Sequence, residues 1–285
     1  MKPTAFEYLA PETVEEALNA LAEHGEDAAV LAGGQSLVPM MNLRISAPPV
    51  LIDIMRIPEL RFIRREDESV VIGAGVRMTQ AEGEAGVPLL TAALRHVGHP
   101  AIRNCGTVCG SLAHADPAAE VPAALLALDG QVVVRSVRGE RILPADEFLR
   151  SYFTTAREPD ELVVAVRIPA GPDSRRVAFL EATPRLGGST GEFATVAVAA
   201  AAERDEAGRF THVSLALAGA AERAVRAREA ESLLTGAEPT AASIDAAAEQ
   251  AATAVDPSDD IHADREYRRH LSRVLARRAL QELAA

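Results

Sequence analysis

The sequence predicts an α+β protein, with a mixed region of short strands and helices followed by an antiparallel sheet covered by helices. Three observations carry this. Short apolar runs of strand length are interleaved with helix-spaced segments up to residue 169; two longer apolar runs flank the turn-like RDEAGR; and three helical patterns close the chain. The 285 residues are 48% hydrophobic and 25% charged, enough for a sizeable core and long enough to favour two domains. Aromatic residues make up 4% and Trp is absent, so the packing must be aliphatic.

Taking the elements in order, residues 12–24 (ETVEEALNALAEH) place Val14, Ala17, Leu18 and Leu21 at helical spacing, with acids at the start and Gly25 past the end. AAVLAGG (28–34) reads as a short buried strand entering a glycine loop, and PVLIDI (49–54) as another strand. LRFIRRE and SVVIGAGV are strand-like, and EAGVPLLTAALRHV (84–97) is helical. DPAAEVPAALLALDG predicts a helix with Asp116 as N-cap, Pro117 in the first helical position and Gly130 beyond the end. QVVVRSVRG alternates, and ELVVAVRIP (161–169) is a strand closed by a proline. AGPDSR (170–175) concentrates linker residues, so the domain boundary falls there. FATVAVAAAAER and FTHVSLALAGA are strands of a hairpin, and helices follow at 223–235, 240–254 and 264–283. The last helix carries Leu271, Val274, Leu275, Leu280 and Leu283 on one side; Arg268, Arg269, Arg273, Arg277 and Arg278 read as a solvated face rather than a docking patch.

The formal charge of −12 opposes a nucleic-acid partner, which would require clustered cations to neutralise phosphates. No apolar run is long enough to span a membrane, and the start MKPTAFEYLAPETVEEAL lacks a signal-peptide core, so a cytoplasmic protein is expected. Cys105 and Cys109 are too few for a disulfide framework or an iron–sulfur cluster, and no second pair or suitably spaced His supports a metal site. There is no Walker A loop and no GxGxxG, and no residue is expected to be catalytic.

Two segments suggest ligand chemistry. Ala32-Gly33-Gly34-Gln35-Ser36-Leu37 follows a strand, and its side-chain-free positions let a phosphate approach several backbone N–H groups; taken alone, such a pair of glycines is usually an ordinary tight turn. The stretch from Ile102 through Gly106-Thr107-Val108-Cys109-Gly110-Ser111 to Ala115-Asp116 offers two glycines, two hydroxyls and a helix start, a set that suits a dinucleotide as well as plain loop structure. Two such loops in one region say more than either alone.

LAGGQSLVPMMNLR followed by PVLIDI, together with IRNCGTVCGSLAHADPAAEVPA, resembles the FAD-binding medium subunit of the molybdenum hydroxylases, the family of carbon monoxide dehydrogenase and xanthine dehydrogenase. FTTAREPDELVVAVRIP, GEFATVAVA and DDIHADREYRRHLSRVLARRAL extend the likeness over nearly the whole chain. The resemblance implies a PCMH-type FAD-binding domain, of the kind seen in vanillyl-alcohol oxidase relatives, at 1–172, built of two α/β subdomains (about 1–55 and 56–172). It also implies a C-terminal domain of antiparallel sheet and helices at 176–285. It implies that Ala32, Gly33, Gly34, Gln35 and Ser36 wrap the FAD pyrophosphate with Thr107, Val108, Cys109, Gly110 and Ser111, that Asp116 lies near the ribityl chain, that Glu192 and Phe193 lie beside the isoalloxazine, and that Leu37, Ile102, Gly106 and Ala115 also belong to the cofactor-binding set. Cys109 stands where the family more usually has glycine, so its side chain must point away from the cofactor or the backbone approach must change. Glu192 replaces a commoner aspartate, and Phe193 a tyrosine found in some relatives.

The implied function is that of an FAD-carrying electron-transfer subunit. Its partners would be a large molybdopterin subunit and a small [2Fe-2S] subunit, and electrons would leave for NAD, a quinone or oxygen. The alternatives are a stand-alone FAD oxidase or dehydrogenase, and a non-redox nucleotide-binding or assembly protein; co-purification with molybdenum and iron, and a flavin spectrum, separate the three.

Overall fold

The computed structural model of the chain describes residues 2–184 and 192–285. It opens with strand β1 (Glu7–Leu9) and helix α1 (Val14–His24), in which Thr13 caps Glu16 N and Val14, Ala17, Leu18 and Leu21 are buried, as their spacing predicts. Strand β2 (Ala28–Leu31), helix α2 (Leu37–Asn42) and strand β3 (Val50–Asp53) follow, and the three strands form a parallel sheet ordered β1-β3-β2. β2 is half-buried along its length rather than buried, because its residues border a cleft.

The middle region runs β4 (Ile63–Glu66), β5 (Ser69–Gly73), α3 (Met78–Glu84), α4 (Pro88–Leu94), α5 (Pro100–Arg103), α6 (Val108–His114), α7 (Glu120–Ala127), β6 (Gln131–Ser136), β7 (Gly139–Pro144), α8 (Ala145–Phe148), β8 (Leu149–Ser151), β9 (Thr154–Thr155) and β10 (Leu162–Pro169). Five of its strands make an antiparallel sheet ordered β4-β5-β10-β6-β7, and β8 and β9 form a separate small hairpin. The helix expected over 84–97 is broken where Gly86 takes φ +62°, and Pro88 starts α4 afresh.

The helix expected from Asp116 begins later, at Glu120. Asp116 Oδ1 accepts Ala118 N at 2.9 Å in a tight turn and Pro117 O accepts Gly219 N at 2.7 Å, so this backbone is committed before α7 starts. At the far end Asp129, not Gly130, takes the left-handed conformation, with φ +51°. Every residue of α7 is buried.

The third region holds β11 (Arg176–Ala182), β12 (Val196–Arg204), β13 (Phe210–Ala218), β14 (Val225–Arg226), α9 (Arg228–Leu234), α10 (Ala241–Thr253) and α11 (Arg265–Ala284). The helix expected from 223 starts at Arg228 because Val225 and Arg226 extend the antiparallel sheet β11-β12-β13-β14. Along β12, Ala197, Ala199 and Ala201 join the core shared with α4 and α7, while Val196, Val198, Ala200 and Ala202 join the core under α9–α11. Burial on both faces accounts for the apolar run without alternation. Arg226 ties the regions together: its Nη1 donates to Leu126 O and to Asp129 Oδ1, both at 2.7 Å, and its Nε to Glu231.

One residue of the arginine face departs from the expected solvated surface. Arg268 is 7% exposed and donates to Thr195 O, Gly219 O and Asp260 Oδ2, each at 2.6 Å. Among the described residues no helix is long and apolar enough to cross a membrane.

Candidate functional site

Between the first two sheets lies a cleft of about 530 Å³, a size usual for ligand sites. Its head is built by the two glycine loops, which meet backbone to backbone. A Cβ added at Gly33 would lie 2.2 Å from Cys105 O and 2.6 Å from the Gly106 Cα, so only glycine lets the loops come this close. In the first loop Gly34 turns at φ +70°, Gln35 Nε2 donates to Gly33 O at 2.9 Å, and Val38 N donates to Gly34 O at 3.1 Å. Ser36 is the N-cap residue of α2, but its side chain makes no capping bond.

The second loop is clamped from behind. Gly106 O accepts Met78 N at 2.8 Å, Arg77 Nη1 donates to Asn104 O at 2.8 Å, and Arg77 forms an isolated bridge with Thr107. Thr107, 2% exposed, caps α6 by accepting Gly110 N at 3.0 Å. A Cβ at Gly110 would stand 2.7 Å from that hydroxyl and 3.8 Å from Ala32 Cβ, a second point where the loops face each other.

Ala32, Gly33, Gly34, Gln35, Ser36, Leu37, Ile102, Gly106, Thr107, Cys109, Gly110, Ser111, Asp116, Glu192 and Phe193 all line this cleft. Val108 and Ala115 do not: both are buried in the core, Val108 on the inner side of α6 and Ala115 as its left-handed C-cap at φ +52°. The Cys109 thiol points inward toward Ile72 O at 3.6 Å, and burial pushes it up to about 12, so it remains a protonated core group while its helix borders the cleft. Cys105 is exposed, and among the described residues no cluster of His, Cys, Asp or Glu could hold a metal. Gly191, beside Glu192 in the GEFAT segment, lies outside the described residues.

Residues not anticipated in the sequence complete the lining, among them Met78, His114, Glu120 and Arg157. Glu120 opens α7 and is 7% exposed; burial pushes its carboxyl up to about 7, helped by the nearby Glu181 and Asp116 charges and opposed by its own amide and His96. Arg157 is lowered by burial and spends Nη1 on Glu158 O, Pro159 O and Glu161 O, the last at 2.8 Å. Burial also lowers His114, whose ring packs 5.0 Å from Phe153. Glu120 lies within the DPAAE motif and Arg157 within the FTTAREPDE motif; both stretches were singled out in the sequence, but neither residue carries a local sign that it faces a ligand.

The demands of a flavin dinucleotide match this set. Glycine-loop and helix-start amides suit a diphosphate, the Asp116 and Glu120 carboxyls suit hydroxyls, and Ala, Val, Ile, Leu and Met side chains suit a flat ring.

Comparison with known proteins agrees with this fit. The family model described as FAD binding domain in molybdopterin dehydrogenase matches residues 4–171, and that described as CO dehydrogenase flavoprotein C-terminal domain matches residues 185–283. The chain is 40% identical over 284 residues to the 6-hydroxypseudooxynicotine dehydrogenase complex subunit alpha of Paenarthrobacter nicotinovorans, covering 98% of this chain and 95% of the relative. It is 37% identical over 284 residues to the carbon monoxide dehydrogenase medium chain of Hydrogenophaga pseudoflava, covering 98% and 97%. Among solved structures, carbon monoxide dehydrogenase from Hydrogenophaga pseudoflava, lacking the Mo-pyranopterin moiety of its cofactor, superposes with a TM-score of 0.94 at 38% identity, covering 99% of this chain and 98% of that one. Quinoline 2-oxidoreductase from Pseudomonas putida 86 superposes with a TM-score of 0.93 at 33% identity, covering 100% and 98%.

Proposed function

This chain belongs to the FAD-binding medium subunits of the molybdenum hydroxylases, and from that premise we propose that it is the electron outlet of such a complex. In this reading a large molybdopterin subunit oxidises the substrate and a small subunit carries [2Fe-2S] clusters. Electrons then leave through the FAD of this chain to NAD, a quinone or oxygen, and the complex works in the cytoplasm. FAD, when bound, supplies the exchange between single-electron and paired-electron transfer.

The chain's own residues bind and orient. The Gly33–Gly34 turn and the Thr107–Ser111 helix start offer main-chain amides to the diphosphate, Asp116 and Glu120 accept from hydroxyls, and Phe193 covers one face of the ring. No side chain of the cleft is needed as a general acid or base. We also read residues 1–172 as the FAD-binding domain, with subdomains at about 1–55 and 56–172, and 176–285 as the C-terminal domain. The relatives are named for substrates as unlike as carbon monoxide, 6-hydroxypseudooxynicotine and quinoline, which supports placing substrate choice on another subunit.

The observation that carries the reading is the contact of Gly33 with Cys105 and Gly106, which joins two distant loops into one cradle. The test is purification of the chain with its neighbours. Stoichiometric flavin together with molybdenum and iron is expected. A flavin-bearing lone chain that turns over a substrate overturns the complex, and a chain that refuses FAD overturns the site.

A further inference from the structure

We propose that His96, Glu181 and Glu120 form a proton path between solvent and the FAD cleft, entering just past α4 and emerging at the start of α7. The inference rests on the FAD reading above and extends it. Iron–sulfur clusters pass electrons alone, whereas a flavin ring gains protons on reduction and loses them on oxidation. The electron transfer needs no acid or base from the cleft, but the protons that follow it need a way through the wall.

The three side chains come from three elements, and their burial deepens in order. The His96 side chain is 38% exposed and its Nδ1 stands 3.2 Å from Glu181 Oε1. The Glu181 side chain is 10% exposed, and Glu120, which lines the cleft, is 7% exposed. Strand register aims Glu181 inward. It lies opposite Ala197 in the antiparallel pair of β11 and β12, so both project to one face, and Ala197 belongs to the core shared with α4 and α7. Phe179, two residues earlier on that face, packs its ring 5.2 Å from the His96 ring and holds it beside the carboxylate. Glu181 Oε2 is buried with no hydrogen-bond partner among the described residues, within reach of the Glu120 charge. Such an oxygen is costly to leave bare, and a proton or a water shared with Glu120 relieves that cost.

Proton affinities along the path suit a relay. Burial pushes the Glu120 carboxyl up to about 7, so the inner end leaves the ordinary carboxylate range and approaches that of an imidazole. His96 is itself raised by its bond to Glu181. The other ionisable groups near Glu120 are Asp116 and His114, on the same cleft wall. Arg95, Asp146 and Arg226, on or beside elements packed against α7, pair with Glu82, Arg223 and Glu231. In an outward passage Glu120 gives a proton to Glu181, Glu181 gives one to His96 Nδ1, and His96 releases one from Nε2 to water. Glu120 ends one proton short and water one richer, while Glu181 and His96 keep their charge.

The test uses the purified complex, reduced anaerobically with dithionite and then mixed rapidly with ferricyanide in the presence of a pH-indicator dye. Ferricyanide takes electrons and no protons, so oxidation of the flavin releases its protons to water. The same complex stripped of flavin gives the protons released by the other centres. Glu181→Gln is expected to keep full flavin content and to slow the flavin-dependent proton signal about a hundredfold, the low end of what a positioned proton carrier contributes. Added imidazole is expected to restore it, and His96→Gln to show the same slowing and the same rescue. A parental proton rate in either variant, or a slowing that imidazole does not relieve, overturns the inference and leaves the FAD reading standing. A complex without flavin overturns that reading itself.

Discussion

At the cleft, Gly33 and Gly110 leave room for the Cys105–Gly106 backbone and the Thr107 hydroxyl, and Gly34 turns left-handed, so that two loops meet beside a space that stays open. In β12, Ala197, Ala199 and Ala201 keep side chains short so that α4 and α7 can close down on the sheet. Smallness therefore serves opposite purposes in the two regions. Where a backbone turns left-handed or meets another backbone within van der Waals distance, glycine opens a cradle; where a flat sheet meets a helix, alanine sets the packing distance. Length and periodicity alone do not separate the two, and what does is the neighbour each residue meets.

The hardest test of this contrast is Gly33→Asp. The new side chain would collide with Cys105 O and place a carboxylate at the diphosphate, so a folded chain with no bound flavin is expected, read from the flavin-to-protein ratio beside an unchanged circular dichroism spectrum. Flavin retained at full ratio would break the loop assignment.

Glu120→Gln probes α7, which touches both regions. The Glu120 carboxyl sits at about 7 in the fold against an ordinary 4.5, so the folded chain holds a proton that the unfolded chain gives up between those values. That contribution is full below pH 4.5 and is lost as pH rises through about 7. His96, raised by its bond to Glu181, loses stability in the same direction above its usual 6.5. The variant is therefore expected to resist urea better than the parent above pH 7, by as much as about 3 kcal/mol, with the gap closing in acid. A gap that is independent of pH would count against burial as the cause.

Ala199→Leu overfills the face under α7 and is expected to cost about 1–3 kcal/mol in urea unfolding while flavin content holds, the reverse of the Gly33 result. Loss of flavin in step with stability would erase the contrast. Smallest is Thr107→Ala, which removes the α6 cap for about 1 kcal/mol; Thr107→Ser is expected to recover most of it in the same assay.

Much of the cleft was legible because its loops are local: Ala32 to Ser36 and Gly106 to Ser111 each declare themselves within a few residues. What escaped depended on distant partners. Glu120 was read as the interior of a helix starting at Asp116, because nothing in DPAAE reveals that Gly219 takes the Pro117 carbonyl and delays the helix. Arg268 looks like its neighbours Arg269 and Arg273 in sequence, and only the Thr195 and Gly219 carbonyls single it out for burial. α3 and β11 were missed because MTQAEGE and RVAFLEA are short and only weakly periodic.

The total burial of α7 bears on any attempt to swap halves between relatives. The two family matches leave a seam near residue 171, but a fragment ended there would present α7 without its ceiling of β12 and β13, and without Arg226 holding the Leu126 carbonyl. A chimera would have to carry both surfaces from the same parent, so the halves are expected to travel through evolution as one inheritance.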